Sequence, residues 1–441
     1  MSLTFTFDKH FKHLSPAVRK LVVAYSGGLD SSVLLSLSAA YAKRNPHIRV
    51  IAVHVNHGLQ QQANSWQEHC RQQASLLEVR FYSEALNIKL DARQSLEAVA
   101  REARYAALTK YIGSKDSLLL TGHHADDQFE TFMLALKRGS GVNGLAAMPL
   151  QRPFAQGSLL RPLLAFSRAE LEDYAQSHQL TWIDDPSNES MDYDRNFLRH
   201  QVMATLSLRW PQILKTTQRS VQHLQEANQL ATEIAESDYS QVGENGALSC
   251  SALHDLSEAR RNNLLRHWFT IHDWLYPSQA QLGQIVSQSL AKQDAKVSVK
   301  LSEGEVRRFK GRLYLVAKQC LIESSHHQPW NMNSVQHLLL ENHSKISWYQ
   351  GGNLLPPKLG EVVTLRFRSE LTVSDFVAAE HNGRRSIKKL LQEAQLPSWQ
   401  RNRIPFVFYD DCLVAIGDLY TNASLQADNN QGIRFSWTPA C

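Results

Sequence analysis

Strands and helices alternate in the hydrophobic pattern of the first 210 or so residues. Short apolar runs predict strands at 21–25, 50–55, 79–82 and 117–121. Longer periodic segments predict helices that begin at residue 30 and that span 63–76, 95–112 and 125–137. This order is typical of a parallel sheet with helices on both faces. Ligands of such sheets bind beyond the carboxyl ends of the strands.

The pattern changes after about residue 208. Helices are predicted at 210–240 and 254–272, and a hairpin pairs 296–300 with 307–316 through a turn at Glu303-Gly304. The polar stretch 324–343 is interpreted as a linker, and short apolar runs after residue 354 predict a small α+β domain. We therefore predict an α/β catalytic domain at 1–214, a mainly helical middle domain at 215–330 and an α+β C-terminal domain at 345–441.

Composition narrows the class of protein. The chain has 441 residues, of which 43% are hydrophobic and 20% charged, as in soluble globular proteins. No apolar run approaches the roughly 18 residues of a membrane span, and residues 1–13 lack a signal-peptide pattern. The five cysteines are scattered, with no Cys-x-x-Cys pair. These features favour a cytoplasmic protein with reduced cysteines, and the net charge of +5 permits a polyanionic partner.

The run Ser26-Gly27-Gly28-Leu29-Asp30-Ser31-Ser32 lies between the first predicted strand and its helix. Glycines, hydroxyls and a helix N-terminus suit phosphate binding. A carboxylate there requires a divalent cation between it and the phosphates, so Asp30 is a candidate Mg²⁺ ligand. The Gly-Lys-Ser/Thr end of a Walker loop is absent. The run resembles the pyrophosphate-binding loop of ATP pyrophosphatases; the alternative is an ordinary glycine-rich turn.

A second polar cluster, 122–131, follows the strand at 117–121. His123, Asp127 and Glu130 share one face of a helix with about 3.6 residues per turn. Carboxylates in this position can hold Mg²⁺ or an ammonium group, and histidine can serve as a base. A solvated acidic face and a zinc site remain alternatives. Arg104 is placed to contact an anion, whereas Arg101 is spaced to pair with Glu97.

Six motifs in order resemble tRNA(Ile)-lysidine synthetases, which are bacterial ATP pyrophosphatases. They are SGGLDSS at 26–32, GHHADDQFET at 122–131, RGSGVNGL at 138–145, RPLL at 161–164, DPSN at 185–188 and RNFLR at 195–199. The tail, at 383–390, 397–401 and 415–417, resembles the C-terminal domain of that family. The resemblance covers most of the chain.

The resemblance implies a ligase. ATP would adenylate the carbonyl oxygen of the wobble cytidine in CAU-anticodon isoleucine tRNA, and the ε-amine of L-lysine would displace AMP to give lysidine. By resemblance, ATP and Mg²⁺ are held by Ser26, Gly27, Gly28, Leu29, Asp30, Ser31 and Arg104. The residues assigned to lysine and the activated base are His123, Asp127, Glu130 and Arg195, with Asp30 also counted as catalytic.

Six cationic side chains between residues 384 and 403 suggest a second contact with tRNA. They are Arg384, Arg385, Lys388, Lys389, Arg401 and Arg403, and Glu393 and Trp399 lie among them. A solvated basic surface is the alternative.

The residues disfavour three other functions. A tRNA thiolase needs a catalytic cysteine, yet Cys70 stands alone in the N-terminal half. A glutamine-dependent synthetase needs a glutaminase cysteine motif, which is absent. A non-catalytic tRNA-binding protein would be expected to lose the acidic residues, but Asp30, Asp127 and Glu130 remain. The sequence leaves the oligomeric state open, a homodimer included.

Overall fold

The computed structural model describes most of the chain, and it forms two compact units, Met1–Leu230 and Ala231–Cys441. Each unit is described by itself. The residues described are 2–12, 18–56, 62–86, 96–184, 194–290, 298–318, 328–332, 335–340, 344–371, 374–381, 383–428 and 431–439, without the side chains of 12 and 96–98.

The first unit is built on a six-stranded sheet. Its strands are β1 (Lys20–Ala24), β2 (Arg49–Asn56), β3 (Arg80–Ala85), β4 (Ser117–Leu120), β5 (Gln151–Phe154) and β6 (Gly157–Leu160). Their order is β3-β2-β1-β4-β6-β5, and every neighbouring pair is parallel except the hairpin of β5 and β6. After their first residues, Lys20 and Ser117, the central strands β1 and β4 are apolar because helices cover both faces of the sheet.

Helices pack on both faces of this sheet. The helices of this unit are α1 (Leu3–Lys12), α2 (Leu29–Arg44), α3 (Ala63–Leu76), α4 (Leu96–Thr109), α5 (Ala125–Lys137), α6 (Val142–Leu145), α7 (Arg168–Ser177), α8 (Asp194–Phe197) and α9 (Ala204–Arg209), with a wider helical turn at Leu198–Met203. One core cluster includes Phe7, Leu34 and Leu171. A second cluster includes Leu108 and Leu119. The predicted α/β layering is therefore confirmed.

Most sequence-predicted elements of this unit are present. The helices predicted at 63–76 and 125–137 have those bounds, and α2 begins one residue earlier than predicted. Among the elements that were not predicted are α1, α6, α7, α9 and the β5–β6 hairpin. The helix predicted at 95–112 ends at Thr109, and its proposed cap, Ser95, lies outside the described residues.

The long helix α10 (Ile213–Val242) begins in the first unit and ends in the second. Three helices and a five-stranded antiparallel sheet in the order β7-β8-β11-β10-β9 follow. Their bounds are α11 (Cys250–Asp255), α12 (Glu258–Ile271), α13 (Gln279–Ser289), β7 (Gly243–Glu244), β8 (Ala247–Ser249), β9 (Ser298–Lys300), β10 (Gly304–Phe309) and β11 (Arg312–Ala317). The middle region is thus helical with a small sheet.

Two predictions for the middle region were wrong in part. The single helix at 254–272 is two helices, because Ser257 caps α12 by accepting a hydrogen bond from the Arg260 backbone N–H. The hairpin predicted at 296–316 is present in part: β9 pairs antiparallel with β10, but the segment 307–316 turns back on itself and adds a third strand. That turn is made by Lys310 and Gly311, both at positive φ.

The C-terminal part is rich in strands. Its elements are β12 (Gln328–Pro329), β13 (His337–Leu339), β14 (Lys345–Gly352), β15 (Val363–Arg366), β16 (Asp375–Phe376), β17 (Arg385–Ser386), α14 (Ile387–Glu393), α15 (Ser398–Arg401), β18 (Phe406–Tyr409), β19 (Cys412–Ile416), β20 (Tyr420–Thr421) and β21 (Gly432–Thr438). They form sheets in the orders β12-β15-β18-β19-β20, β13-β14-β21 and β16-β17.

The interpretation of 324–343 as a linker was wrong where the structure describes it. The strands β12 and β13 lie in this stretch, and Trp330, Met332 and Leu340 are buried in the C-terminal core. Across the part of the chain that is described, no helix is both long and apolar enough to cross a membrane.

Candidate active site

Residues that follow three parallel strands meet around one cavity of about 520 Å³ in the first unit. Ser26 follows β1, His54 lies near the carboxyl end of β2, and His123 follows β4. Helix α4 supplies a further wall, formed by Ala100, Arg104, Tyr105 and Leu108. The polar residues that follow these three strands therefore line the same cavity.

The glycine-rich loop has a backbone that other residues would not adopt. Gly27 has φ +90°, and a Cβ there would lie 2.6 Å from the Cys70 Sγ and 2.8 Å from the Ile183 Cδ1. The Ser31 hydroxyl accepts a hydrogen bond from the Gly27 N–H at 3.2 Å and donates one to the Gly28 carbonyl at 3.0 Å. The loop is therefore fixed before any ligand arrives, with α2 beginning directly after Gly28.

The first turn of α2 carries the remaining predicted nucleotide residues. Ser26 and Ser31 line the cavity with Asp30, and their two hydroxyl oxygens are 3.1 Å apart. The Leu29 side chain is buried in the core, so only its backbone is left for a ligand. This arrangement presents hydroxyls and a helix N-terminus to the cavity.

The second cluster is brought to Asp30 by the close approach of two loops. A Cβ on Gly122 would lie 3.1 Å from the Asp30 carbonyl carbon and 3.2 Å from the Ser31 nitrogen. A larger residue at position 122 would push the two loops apart. Gly122 thus sets the distance between Asp30 and the start of α5.

His124, which sequence reasoning did not select, lies at the centre of the carboxylates. It is the N-cap residue of α5 and is 1% exposed. Its Nε2 is 3.6 Å from Asp30 Oδ2 and 3.4 Å from Asp127 Oδ2, and its Nδ1 is 3.3 Å from Asp126 Oδ2. Its position, separated by one residue from the pair Asp126-Asp127, was the signal available in the sequence.

The charges of this cluster stabilise one another. Burial opposes protonation of His124, but Asp127, Asp126 and Asp30 outweigh it and raise the pKa to about 10. Burial would raise the pKa of Asp30, yet the His124 imidazolium, with Arg168 and Arg199, holds it below its usual value. His124 is therefore a cation and Asp30 an anion at neutral pH.

The placement of His123 on a helical face with Asp127 and Glu130 was wrong. His123 precedes the N-cap residue, because α5 begins at Ala125, and its Nδ1 lies 2.9 Å from the Thr121 hydroxyl. It still lines the cavity. Burial lowers the pKa of His123 to about 3, and nearby arginines lower it further against the opposing charge of Asp127. The imidazole is therefore neutral.

Asp127 and Glu130 have different surroundings. Asp127 lines the cavity, and its Oδ2 accepts a hydrogen bond from the His124 backbone N–H at 3.0 Å. Glu130 is 1% exposed, and its Oε1 lies 2.8 Å from the Arg199 Nη2. Burial raises the pKa of Glu130 against the opposing effect of Arg199. Only Asp127 of this pair faces the cavity.

Two arginines near these carboxylates had no role in the sequence-based assignment. Arg199 pairs with Glu130 and lies 3.6 Å from Asp127 Oδ1, and Arg168 lies 3.5 Å from Asp30 Oδ2. The predicted Arg195 lies on α8 and also lowers the pKa of Glu130. The DPSN motif at 185–188 lies outside the described residues.

Cys70 does not have the character of a catalytic thiol. It is fully buried, and burial raises its pKa to about 12. A reactive cysteine needs an accessible thiolate. Cys70 instead fills the space beside Gly27, which removes the feature that a thiolase of the cysteine type requires.

The basic tail is less open than its sequence suggested. Arg403 is 2% exposed, so its assignment to a basic surface was wrong. Arg385 pairs with Glu393, whereas Arg384, Lys388 and Lys389 are exposed. Trp399 contacts the rings of Phe309 and Tyr314, with centroids 6.0 and 5.6 Å apart.

Comparisons with known proteins agree with this architecture. Family models match a PP-loop domain at residues 3–206, a TilS substrate binding domain at 248–314 and a TilS substrate C-terminal domain at 363–437. A solved U34-tRNA thiolase from Methanococcus maripaludis is 21% identical over 51% of this chain and 78% of its own, with a TM-score of 0.44. A likeness of that size carries no argument about activity.

Curated relatives match along nearly the whole chain. The tRNA(Ile)-lysidine synthase of Serratia proteamaculans is 40% identical over 96% of both chains. That of Vibrio cholerae is 39% identical over 92% of this chain and 91% of its own. Together with the nucleotide loop and the carboxylate cluster of the cavity, these matches show that the chain belongs to the tRNA(Ile)-lysidine synthase family, whose PP-loop domain uses ATP.

Proposed function

We propose that this protein ligates L-lysine to the wobble cytidine of isoleucine tRNA with the CAU anticodon. The carbonyl oxygen of the cytosine attacks the α-phosphorus of ATP, and pyrophosphate leaves. The lysine ε-amine then attacks the activated carbon, AMP leaves, and the attacking nitrogen loses a proton. The observation that carries the proposal is the shared cavity, which has the nucleotide loop on one wall and the His123–Asp127 segment on another.

The nucleotide loop would hold the phosphates of ATP. The hydroxyls of Ser26 and Ser31 and the backbone of Gly27, Gly28 and Leu29 converge at the start of α2. Arg104 lines the same cavity from α4 and would contact the nucleotide. These donors bind the leaving pyrophosphate as its charge develops, which is the largest contribution that a phosphate loop makes to rate.

Asp30 fits the coordination of Mg²⁺. Its Oδ1 is buried and forms no hydrogen bond in the structure. Mg²⁺ is commonly held by one or two carboxylates together with substrate phosphates, and the described residues contain no cluster of three or more His, Cys, Asp and Glu side chains suited to a metal. One carboxylate beside a phosphate loop matches that mode. The ion would neutralise charge between Asp30 and the phosphates.

The carboxylates on α5 would receive lysine. Asp127 faces the cavity and Glu130 lies behind it, beside Arg199, so an ammonium group entering here finds anions already held in place. Arg195 would pair with the lysine carboxylate. His123 is neutral, so it can accept a hydrogen bond without repelling the incoming ammonium group. The ε-amine would be buried beside Asp127 and His123, and burial would favour the loss of its proton there.

The three-domain division of the sequence also remains our proposal, with catalysis at 1–214 and tRNA contacts at 215–330 and 345–441. Arg384, Lys388 and Lys389 are the exposed cations that would contact phosphates in the tail. Replacing these three by alanine is expected to flatten the salt dependence of tRNA binding without changing ATP affinity. Titrations of tRNA at several salt concentrations measure both. A homodimer stays a prediction.

RNA-dependent turnover tests the proposed reaction. With ATP and isoleucine tRNA but no lysine, the enzyme should exchange radiolabelled pyrophosphate into ATP, and adding lysine should release AMP. The same tRNA carrying uridine at the wobble position is the control. Exchange that does not depend on RNA, or AMP release that does not depend on lysine, contradicts the proposal.

A further inference from the structure

Three arginines converge on the ring of Tyr105 at the edge of the cavity. The guanidinium carbons of Arg101, Arg104 and Arg152 lie 5.3, 5.7 and 5.6 Å from its centroid. These distances are within the roughly 6 Å at which a cation is attracted to an aromatic face. Helix α4 carries Arg101 and Arg104, and strand β5 carries Arg152.

A buried arginine and a second ring fix Tyr105 in place. Arg161 is 3% exposed, and its Nη1 donates a hydrogen bond to the Pro149 carbonyl at 2.7 Å. The Tyr105 side chain is near enough to raise the pKa of Arg161, and the Arg161 Nε has no hydrogen-bond partner in the structure. The Phe154 ring packs edge-on against Tyr105 with centroids 5.8 Å apart. We call these four arginines and Tyr105 the Tyr105 cluster.

The Tyr105 cluster concentrates positive charge. Burial lowers the pKa of Arg161, and the charges of Arg152 and Arg101 lower it further. Within the described residues, neither Arg101 nor Arg152 forms a salt bridge with a carboxylate. Four guanidinium groups held this close repel one another, and an anion between them would relieve that repulsion.

The position of the cluster indicates which anion binds it. Arg104 and Tyr105 line the cavity, but Arg101 and Arg152 do not. The ATP phosphates have their own donors on the loop that precedes α2. An anion that reaches the two outer arginines is therefore part of the substrate that enters from outside the cavity, and in the proposed reaction that substrate is RNA.

We propose that Arg101 and Arg152 bind backbone phosphates of the tRNA beside the reacting cytidine, with the Tyr105 ring as their fixed support. The inference rests on the proposed function, because the RNA must reach this cavity for its phosphates to meet these side chains. Arginine suits the role since its planar guanidinium can bind a phosphate through two hydrogen bonds. The two residues position the substrate and take no part in the chemistry.

The test compares two double variants in tRNA binding. Arg101→Ala/Arg152→Ala removes the outer arginines. Arg49→Ala/Arg80→Ala removes two exposed arginines from the amino ends of β2 and β3, at the opposite edge of the sheet, and is the matched control. Binding of fluorescently labelled isoleucine tRNA is measured at several salt concentrations, and binding of ATP alone is measured beside it.

The cluster variant should show a flatter salt dependence. Each lost contact with single-stranded RNA lowers the slope by about 0.7, so two lower it by about 1.4 and weaken binding by roughly tenfold at 0.1 M salt. The control variant should keep the wild-type slope, and ATP affinity should be unchanged in both. Arg101→Lys/Arg152→Lys should recover most of the slope, because it keeps the charge.

Two results would overturn the proposal. One is an unchanged slope in the cluster variant. The other is weakened ATP binding with intact tRNA binding, which would assign the cluster to the nucleotide. Arg152→Ala alone gives half the effect and, as an exposed residue on an edge strand, does not threaten folding. Binding is read without turnover, so a failure of lysidine formation is distinguished from a failure of this contact.

Discussion

The two walls of the cavity are built by different means. The nucleotide loop forms one wall, which we call the backbone wall. It is held by a glycine at positive φ, by hydrogen bonds with Ser31 and by the start of a helix. The wall formed by the start of α5, which we call the charged wall, is held by charge, with the His124 imidazolium among three carboxylates and Arg199 against Glu130. The first wall is rigid without any ligand, whereas the second depends on the protonation of its members. Substitutions should therefore act differently on the two.

The largest effect is expected where the walls meet, at Asp30. Asp30→Ala removes both the proposed Mg²⁺ ligand and one partner of His124. Loss of one such group at a transferring phosphate costs on the order of 10² or more in rate. Pyrophosphate exchange in the presence of tRNA measures it, and Asp30→Asn separates the charge from the shape. Near-normal exchange at saturating Mg²⁺ would remove Asp30 from the mechanism.

The charged wall should show itself in the pH dependence of stability. The pKa of His124 in the folded chain, about 10, lies above its ordinary value of 6.5. The folded state thus holds an extra proton between these values, so this stabilisation is complete below pH 6.5 and is lost as pH rises towards 10. We expect a loss of about 2 kcal/mol in the free energy of unfolding between pH 7 and 10.

Urea unfolding with a chelator present measures that loss, and His124→Asn should abolish this part of the pH dependence. Retention of the wild-type profile in the variant would place the titrating group elsewhere.

The backbone wall should instead respond to shape. Gly27→Ala introduces a Cβ at φ +90°, 2.6 Å from the Cys70 Sγ. We expect a loss of about 1 to 2 kcal/mol in the free energy of unfolding, independent of pH, from backbone strain and overpacking. Gly141→Ala, where a Cβ meets nothing within 4 Å, is the control. Adding Cys70→Ala should recover the packing part of the loss, and an unchanged stability in Gly27→Ala would show that the loop is soft.

Glu130→Gln should have the smallest effect and should act on lysine. The neutral amide removes a negative charge that lies behind Asp127, and Arg199 loses its ion pair at 2.8 Å. The KM for lysine should rise about fivefold, roughly 1 kcal/mol, while the KM for ATP stays the same. Steady-state kinetics with each substrate varied separate the two. A raised KM for ATP with an unchanged KM for lysine would reverse the assignment.

Sequence reasoning recovered the backbone wall because its determinants are local. Two glycines, three serines and a strand before a helix are visible within seven residues. It recovered the charged wall only in part. Its members come from distant segments, so Arg168 and Arg199 could not be assigned to Asp30 and Glu130 from spacing. His123 and His124 were distinguished only by where α5 begins.

The errors in the second unit arise at boundaries that the sequence marks only weakly. The segment 307–316 was interpreted as one strand because only Lys310 and Gly311 separate β10 from β11. The end of the first unit falls inside α10, where Gln225 bonds to the Ala146 carbonyl and Asp238 pairs with Arg260. No turn or change of composition marks such a boundary, since α10 is continuous across it.

The central claim is that both walls serve a single ligation at the wobble cytidine. The most direct measurement is mass spectrometry of nucleosides from CAU-anticodon isoleucine tRNA incubated with the enzyme, ATP and isotopically labelled lysine. The account predicts that the label appears in one modified cytidine, only when ATP is present. Unmodified cytidine after AMP release, or label found in another nucleoside, would contradict it.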